Sequence, residues 1–387
     1  MVYFDNAATT KMKDSVVNAM LPYFTETFGN ASSVYTTTGQ AARKALTSAR
    51  SDVAKAINAD DAEIFFTSGG SEADNWAIKG TGLKSAKKHI ITTTIEHHAV
   101  LHTCEFMEKQ GYSVTYVPVD EFGMVSVEDI EKAITDDTFL VSVMFANNEI
   151  GTINPIAEIG KLCREKGIYF HTDAVQATGA VPIDVKAMNI DLLSMSGHKF
   201  HGPKGVGALY IRKGVKIENL IHGGAQEKGR RATTENVAGI VGMAAALKDA
   251  TENMKEKTAK ITALREKLIN GILETVPYTR LNGHREKRLP NNTSFCFKYI
   301  EGESLLLSLD LKGYIVSSGS ACTSGSLDPS HVLLGIGLPH ETAHGSMRVS
   351  LSEFNTEEEI DSFIKELAPI VQRLRDMSPL YEGIKED

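Results

Sequence analysis

The chain has 387 residues, 42% of them hydrophobic and 23% charged, with a formal net charge of −8 at pH 7. It is long enough for more than one domain, since single cores stop growing at roughly 250–300 residues. The acidic balance argues against a broad nucleic-acid or anionic-membrane surface, although a local basic patch at 228–231 stays open. No apolar run approaches membrane-spanning length, and MVYFDNAATT reads as neither a secretory nor a transit signal, so a cytoplasmic location is expected.

From residue 62 to 211, seven β-rich runs succeed one another: EIFFT, HIITTT, VTYVPV, LVSVMFA, IYFHT, DLLSMS and GVGALYI. Amphipathic stretches such as PIAEIGKLCREKG separate several of them, which predicts parallel strands joined by crossover helices and ligands at the carboxyl ends of the strands. Only GHKFHGPKG joins the last two runs, so one antiparallel strand is expected at the sheet edge. Residues 233–276 read as helical, with KDATENMKEKTAKITALREKL as one long solvated helix. After Pro277, TSFCFKYI, ESLLLSLDL, IVSSG and SMRVSL predict a smaller α+β unit, closed by a helix from Thr356 to about Met377.

The four cysteines form no C-x-x-C pair, which removes zinc-ribbon and dithiol redox readings. Cys104, Cys163 and Cys296 lie in apolar patterns and are expected in the core. Cys322 does not: it sits in SSGSACTSGSLDPSHV, where little could bury it.

Four other stretches carry candidate chemistry. In DLLSMSGHKFHGPKG, Lys199 follows a buried strand end, where partial desolvation can make an amine nucleophilic and able to form a Schiff base; a solvated turn lysine is the plain alternative. In FHTDAVQATG, Asp173 just past a strand calls for a cationic partner or serves as a helix N-cap, and Gln176 follows it. FFTSGGSEADN is a strand, a glycine turn and a helix start whose Gly70 and Ser71 N–H groups suit a small phosphate; it matches neither a P-loop nor a dinucleotide fingerprint, and Ser71 or Asp74 could simply cap the helix. TTTIEHHAVLHTCE holds His97, His98 and His102, but no H-E-x-x-H and no fourth ligand nearby, so no metal is expected. His97 could stack on an aromatic cofactor and pass protons, or cap a helix.

Taken together, YFDNAATT, FGNASS, TSGGSEADN, EHHAV, ANNEIGT, HTDAVQ, SGHKFHGPKGVGALY, GGAQEKGRRATTEN, SSGSACTSGSLDPSHV and GSMRVSL occur in the order found in the cysteine desulfurases of the class V aminotransferases. Over nearly its whole length the chain resembles that family, and most closely its nitrogen-fixation and iron–sulfur-cluster type. The resemblance implies an α/β, fold type I architecture: a large domain (15–258) with a mainly parallel seven-stranded sheet between helices, and a smaller α+β domain (1–14 and 259–387). It implies pyridoxal 5'-phosphate as cofactor, bound covalently by Lys199. Asp173 would meet the ring nitrogen, Gln176 the ring oxygen, and His97 the ring face. Gly70, Ser71, Ser196 and His198 would hold the phosphate, with Thr234 reaching it from the second subunit of a homodimer. Asn148 and Arg348 would bind the carboxylate of L-cysteine. Cys322 would be the nucleophile that leaves as a persulfide, with sulfur passed to an acceptor such as an iron–sulfur scaffold protein.

Four positions depart from the family pattern: Ala31 in place of proline, Ser71 in place of threonine, Thr233 in place of glycine, and Glu353 in place of arginine. Thr233 puts the contact between subunits in question, and Glu353 is expected to bear on a surface or partner contact. Selenocysteine lyase or aminotransferase chemistry on the same cofactor, sulfur supply for tRNA thiolation, and a docking platform without sulfur transfer are the rival readings.

Overall fold

Runs of apolar residues with no polar alternation need cover on both faces, and the chain supplies it. The computed structural model describes residues 1–318 and 329–382. Its strands are β1 (Val2–Tyr3), β2 (Ile64–Thr67), β3 (His89–Thr93), β4 (Ser113–Val117), β5 (Thr138–Ser142), β6 (Tyr169–Asp173), β7 (Leu192–Ser196), β8 (Gly207–Ile211), β9 (Thr279–Leu281), β10 (Asn292–Phe297), β11 (Tyr314–Ile315) and β12 (Ser346–Ser350). The seven expected runs form one sheet in the order β2-β8-β7-β6-β5-β3-β4. Every residue of β2, β3, β5, β7 and β8 is buried, whereas β4 at one edge is half-open.

Strands β3 to β7 run parallel, and β8 runs against both β7 and β2. The antiparallel strand is therefore second from the edge, not at it. Strand β2 takes the edge instead, and its outer polar groups are met by side chains. Phe66 donates its N–H to Glu227 at 2.9 Å, and Arg50 binds both the Ile64 carbonyl and the Glu227 carboxylate. An apolar edge strand covered in this way cannot template pairing with another chain.

The expected long solvated helix is two helices, Val237–Thr251 and Met254–Thr275. Asn253 breaks them with a left-handed backbone (φ 59°), a conformation asparagine tolerates better than most residues. The second helix buries Leu264, Leu268, Ile269 and Ile272, so only part of its circumference meets solvent. These residues join Phe4, Phe295, Phe297, Met347, Val349 and Phe363 in a core separate from that of the large sheet. There the antiparallel sheet β12-β10-β9 packs under the helices Gly302–Leu311 and Glu357–Asp376. The latter is the expected final helix, started by a Thr356–Glu359 capping box. Cys104, Cys163 and Cys296 are fully buried, as expected. Among the described residues no helix is long and apolar enough to cross a membrane.

Candidate active site

Parallel strands leave their carboxyl ends on one side of the sheet, and β6 and β7 end there in Asp173 and Ser196. Beside them lies a cavity of about 330 Å³. Gly70, Ser71, His97, Asn148, Asp173, Gln176, Ser196, His198, Lys199 and Arg348 all line it. Residues separated by up to 278 positions are thus brought to one place. Thr234 is exposed and does not line this cavity, and Cys322 lies outside the described residues.

Lys199 closes a short 3-10 turn, Gly197–Lys199, directly after β7. Its Nζ donates to the carbonyls of Ala7 (2.6 Å) and Ala8 (2.8 Å), and Gln176 Nε2 donates to the same Ala7 carbonyl at 3.0 Å. The N-terminal segment thus folds over the lysine. His198 Nδ1 contacts Thr9 Oγ1 at 3.1 Å; burial, then the nearby Lys199 and Lys204 charges, push its pKa down to about 4, so it is a neutral imidazole.

Asp173 is buried and accepts the Val175 N–H at 2.9 Å. Burial raises its pKa, opposed by His97, by that N–H and by Lys199. His97 does not follow β3 directly but stands four positions after Thr93. There it caps the helix His98–Lys109, its Nδ1 accepting the Ala99 N–H at 3.1 Å, and also lines the cavity. The two roles considered for it are compatible.

Gly70 opens the helix Gly70–Lys84, and neither Ser71 nor Asp74 caps it: Gly69 is the N-cap and brings no side chain. The first turn therefore points backbone N–H groups at an anion-sized space. A Cβ on Gly70 would come within 2.7 Å of Val175 Cγ2, so glycine keeps this end of the cavity open.

Arg348, in β12, is 3% exposed. Its Nη1 donates to the Asn148 carbonyl (3.0 Å) and its Nη2 pairs with Asp5 (2.9 Å). Its backbone exchanges two hydrogen bonds with Ser317, at 3.1 and 2.6 Å. On the other side of the undescribed segment, Ser330 caps the helix His331–Gly335 and bonds Glu149, and His331 Nε2 lies 3.0 Å from the Glu96 carbonyl.

Sequence reasoning missed Asp5 and treated Asp74 only as a capping candidate. Asp74 lines the cavity while 1% exposed, and helical spacing was the available signal, because Gly70 and Asp74 stand four apart on one face. His98, His102 and His331 cluster, with ring centroids 4.9 and 4.6 Å apart. No group of three His, Cys, Asp or Glu among the described residues is placed to hold a metal. Thr233 has a φ of 105°, the left-handed region that favours glycine. Glu353 turns inward to pair with Lys13, which also pairs with Asp249, so it serves an intramolecular contact.

Pyridoxal phosphate fits these residues: a primary amine at Lys199, a buried carboxyl at Asp173, and a helix N-terminus kept clear by Gly70 meet in one cavity. The aminotransferase class-V family model matches residues 2–363. A protein named cysteine desulfurase IscS from Clostridium botulinum (strain Hall) is 64% identical over 385 residues, covering 98% of this chain and 97% of that one. Its namesake from Methanosarcina thermophila is 59% identical over 381 residues, with 98% and 94% covered. A solved NifS-like protein superposes with a TM-score of 0.91 at 42% identity, over 96% of this chain and all of that one. A structure described as SspA in complex with cysteine gives 0.81 at 38% identity, over 92% of this chain and all of that one. With its fold, its lysine-bearing cavity and its full-length relatives in agreement, the chain belongs to the class-V aminotransferase family and, within it, to the cysteine desulfurases.

Proposed function

We propose that the protein is a pyridoxal-phosphate-dependent L-cysteine desulfurase that works through the residues gathered in this cavity. The convergence of Lys199, Asp173, Gln176 and Arg348 on one space carries the reading. The cofactor, when bound, supplies an electron sink for the bond changes at the substrate. Lys199 would anchor it, Asp173 would hold a proton at the ring nitrogen, and Gln176 and His97 would meet the ring from the same cavity. Gly70, Ser71, Ser196 and His198 hold the phosphate. Arg348, with Asn148 beside it, takes the substrate carboxylate, a role to which a planar guanidinium is suited.

The thiolate of Cys322 attacks the sulfur of L-cysteine; an S–S bond forms, the substrate C–S bond breaks with its electron pair going to carbon, and that carbon takes up a proton to give alanine. The persulfide on Cys322 is the form in which sulfur leaves, with an iron–sulfur scaffold protein as acceptor. In a homodimer, Thr234 reaches the phosphate of the opposite subunit, consistent with its exposure here. Residues 15–258 form the cofactor-holding unit, and residues 1–14 with 259–387 bring Arg348 and Cys322 to it.

Purified protein supplied with pyridoxal phosphate and L-cysteine should release equal amounts of alanine and, with a thiol reductant, sulfide. Borohydride should fix the cofactor on Lys199. Cys322→Ala should abolish sulfur release; intact activity in that variant would overturn the assignment of the nucleophile. Labelled persulfide loaded on Cys322 should move to a scaffold protein, and transfer to no scaffold would sink the cluster-assembly role.

A further inference from the structure

The stretch ANNEIGT forms a turn tied from inside by its second residue. Asn147 is completely buried; its Oδ1 accepts the N–H groups of Glu149 (2.8 Å) and Ile150 (3.0 Å), and its Nδ2 donates to the Ile95 carbonyl at 3.0 Å. Gly151, at a φ of 79°, returns its N–H to the Asn147 carbonyl at 3.0 Å. An asparagine side chain bonded to the backbone two residues on closes a turn by itself. The turn is thus complete without the Asn148 carbonyl, whose hydrogen bonds come from the sheet β12-β10-β9 instead.

Two side chains donate to that carbonyl: Arg348 Nη1 on β12 at 3.0 Å and Asn292 Nδ2 on β10 at 3.3 Å. Register pairs Asn292 with Ser350 and Ser294 with Arg348, so strand alternation makes Asn292 and Arg348 diagonal neighbours on one face. A carbonyl oxygen has two lone pairs, enough for both donors, and only the NH2 side of an amide can face it. The rest of the Asn292 side chain lies against the turn: a Cβ on Gly151 would come within 2.8 Å of Asn292 Oδ1 and 3.0 Å of its Cβ and Cγ. Asn292 is 1% exposed and does not line the cavity, and its Oδ1 has no hydrogen-bond partner among the described residues. Leaving a buried acceptor unpaired costs stability, so what this amide adds here is the N–H it places on Asn148.

We propose that Asn292 is a positioning residue for the substrate carboxylate: by holding the Asn148 carbonyl it fixes the acceptor on which the Arg348 fork rests. This inference rests on the reading above, in which Arg348 and Asn148 take the carboxylate of L-cysteine. The guanidinium is planar and rigid, so two held corners set its direction. One corner, Nη2, is held by Asp5 at 2.9 Å, and the other, Nη1, by the Asn148 carbonyl. Without Asn292 that carbonyl keeps Arg348 as its one side-chain donor and can swing with it, so the plane loses a fixed corner. Lys199, Asp173 and Gly70 make none of their contacts through this carbonyl. The effect therefore falls on recognition of the substrate and leaves cofactor binding alone.

Asn292→Ala should raise KM for L-cysteine about fivefold, the loss of one neutral hydrogen bond, with kcat within about twofold of the parent and the absorbance of the bound cofactor unaltered. Asn292→Asp keeps the shape packed against Gly151 while removing the donor; it should raise KM at least as much, and it carries the test if the alanine variant does not fold. In an Arg348→Lys background, Asn292→Ala should add less than about twofold, because residues acting through one another are not additive, whereas a merely structural asparagine would give the same factor in both backgrounds. In the protein without cofactor, amide hydrogen exchange over residues 147–152 should be faster in Asn292→Ala than in the parent. A fall in kcat in place of a rise in KM, equal factors in the two backgrounds, or unaltered exchange overturns the proposal. A raised KM in Arg348→Lys beside an unaltered one in both Asn292 variants overturns the positioning role alone. An unaltered KM in Arg348→Lys overturns the placement of the carboxylate at Arg348, and this inference with it.

Discussion

Arg348 and Asp5 form a 2.9 Å ion pair in the cavity wall, joining β12 to the N-terminal segment that also receives the Lys199 amine through Ala7 and Ala8. On the proposed function, a substrate carboxylate arriving at Arg348 would meet a guanidinium already engaged with one carboxylate and with the Asn148 carbonyl. A fork with five donors can serve all three, whereas an ammonium cannot keep this planar geometry.

Arg348→Lys is accordingly expected to raise KM for L-cysteine about tenfold or more while the cofactor remains bound. Steady-state kinetics beside the absorbance of the bound cofactor separate the two effects. An unchanged KM would remove Arg348 from substrate binding.

Gly70 gives a packing test. Gly70→Ala drives a methyl to 2.7 Å from Val175 Cγ2, and valine has little rotamer freedom with which to yield. Cofactor affinity should fall about tenfold, the consequence of an overpacking cost near 1–2 kcal/mol. Adding Val175→Ala should recover most of the loss, as measured by fluorescence titration of the double variant.

Thr233 carries its φ of 105° with a β-branched side chain on an exposed loop. Thr233→Gly should stabilise the fold by about 1 kcal/mol, the relief of strain exceeding glycine's entropy cost. Urea denaturation provides the measurement, and a loss of stability would show that the threonine makes contacts that outweigh its backbone strain.

Glu72 and Arg231 form a two-pronged pair at 2.9 and 3.0 Å, and the Ser68 N–H donates to the same carboxylate at 2.7 Å. Burial raises the pKa of Glu72, but the hydrogen bonds from Arg231 and Ser68 outweigh it and hold the group below its ordinary value. Its stabilising contribution is therefore complete above the unfolded-state pKa of about 4.3 and is lost as pH falls through the lower folded value. Glu72→Gln should cost about 2 kcal/mol at pH 7. The difference from the parent should shrink as pH falls below that of an ordinary carboxylate; a difference independent of pH would show that charge is not its source.

Most of the large sheet was legible because each strand is a run of apolar residues, a pattern that burial on both faces imposes locally. The place of β8 was not, because it depends on β2 arriving from some 140 residues upstream to pair outside it. The same distinction holds at the site. Lys199, Asp173 and Gly70 announce themselves by what precedes them: a buried strand or a glycine turn. Asp5 acquires its meaning only from Arg348, 343 residues away. Asp74 was hidden for a different reason, since an acid near the start of a helix looks like a cap until the backbone shows Gly69 in that place. Asn253 was the missed local signal, an asparagine whose left-handed backbone divides a charged run that otherwise reads as one helix.

The paired hydrogen bonds between Ser317 and Arg348 also fix a leash. Cys322 is five residues beyond Ser317, so covalent geometry alone keeps its Cα within about 17 Å of that anchor. On the proposed reading, the sulfur it carries reaches one side-chain length further than that, with the substrate at Arg348 at one end of its route and the acceptor's thiol at the other. Such an acceptor would have to dock close enough to the cavity rim to bring its own sulfur ligand within that reach, and could not take delivery on a distant face of the molecule.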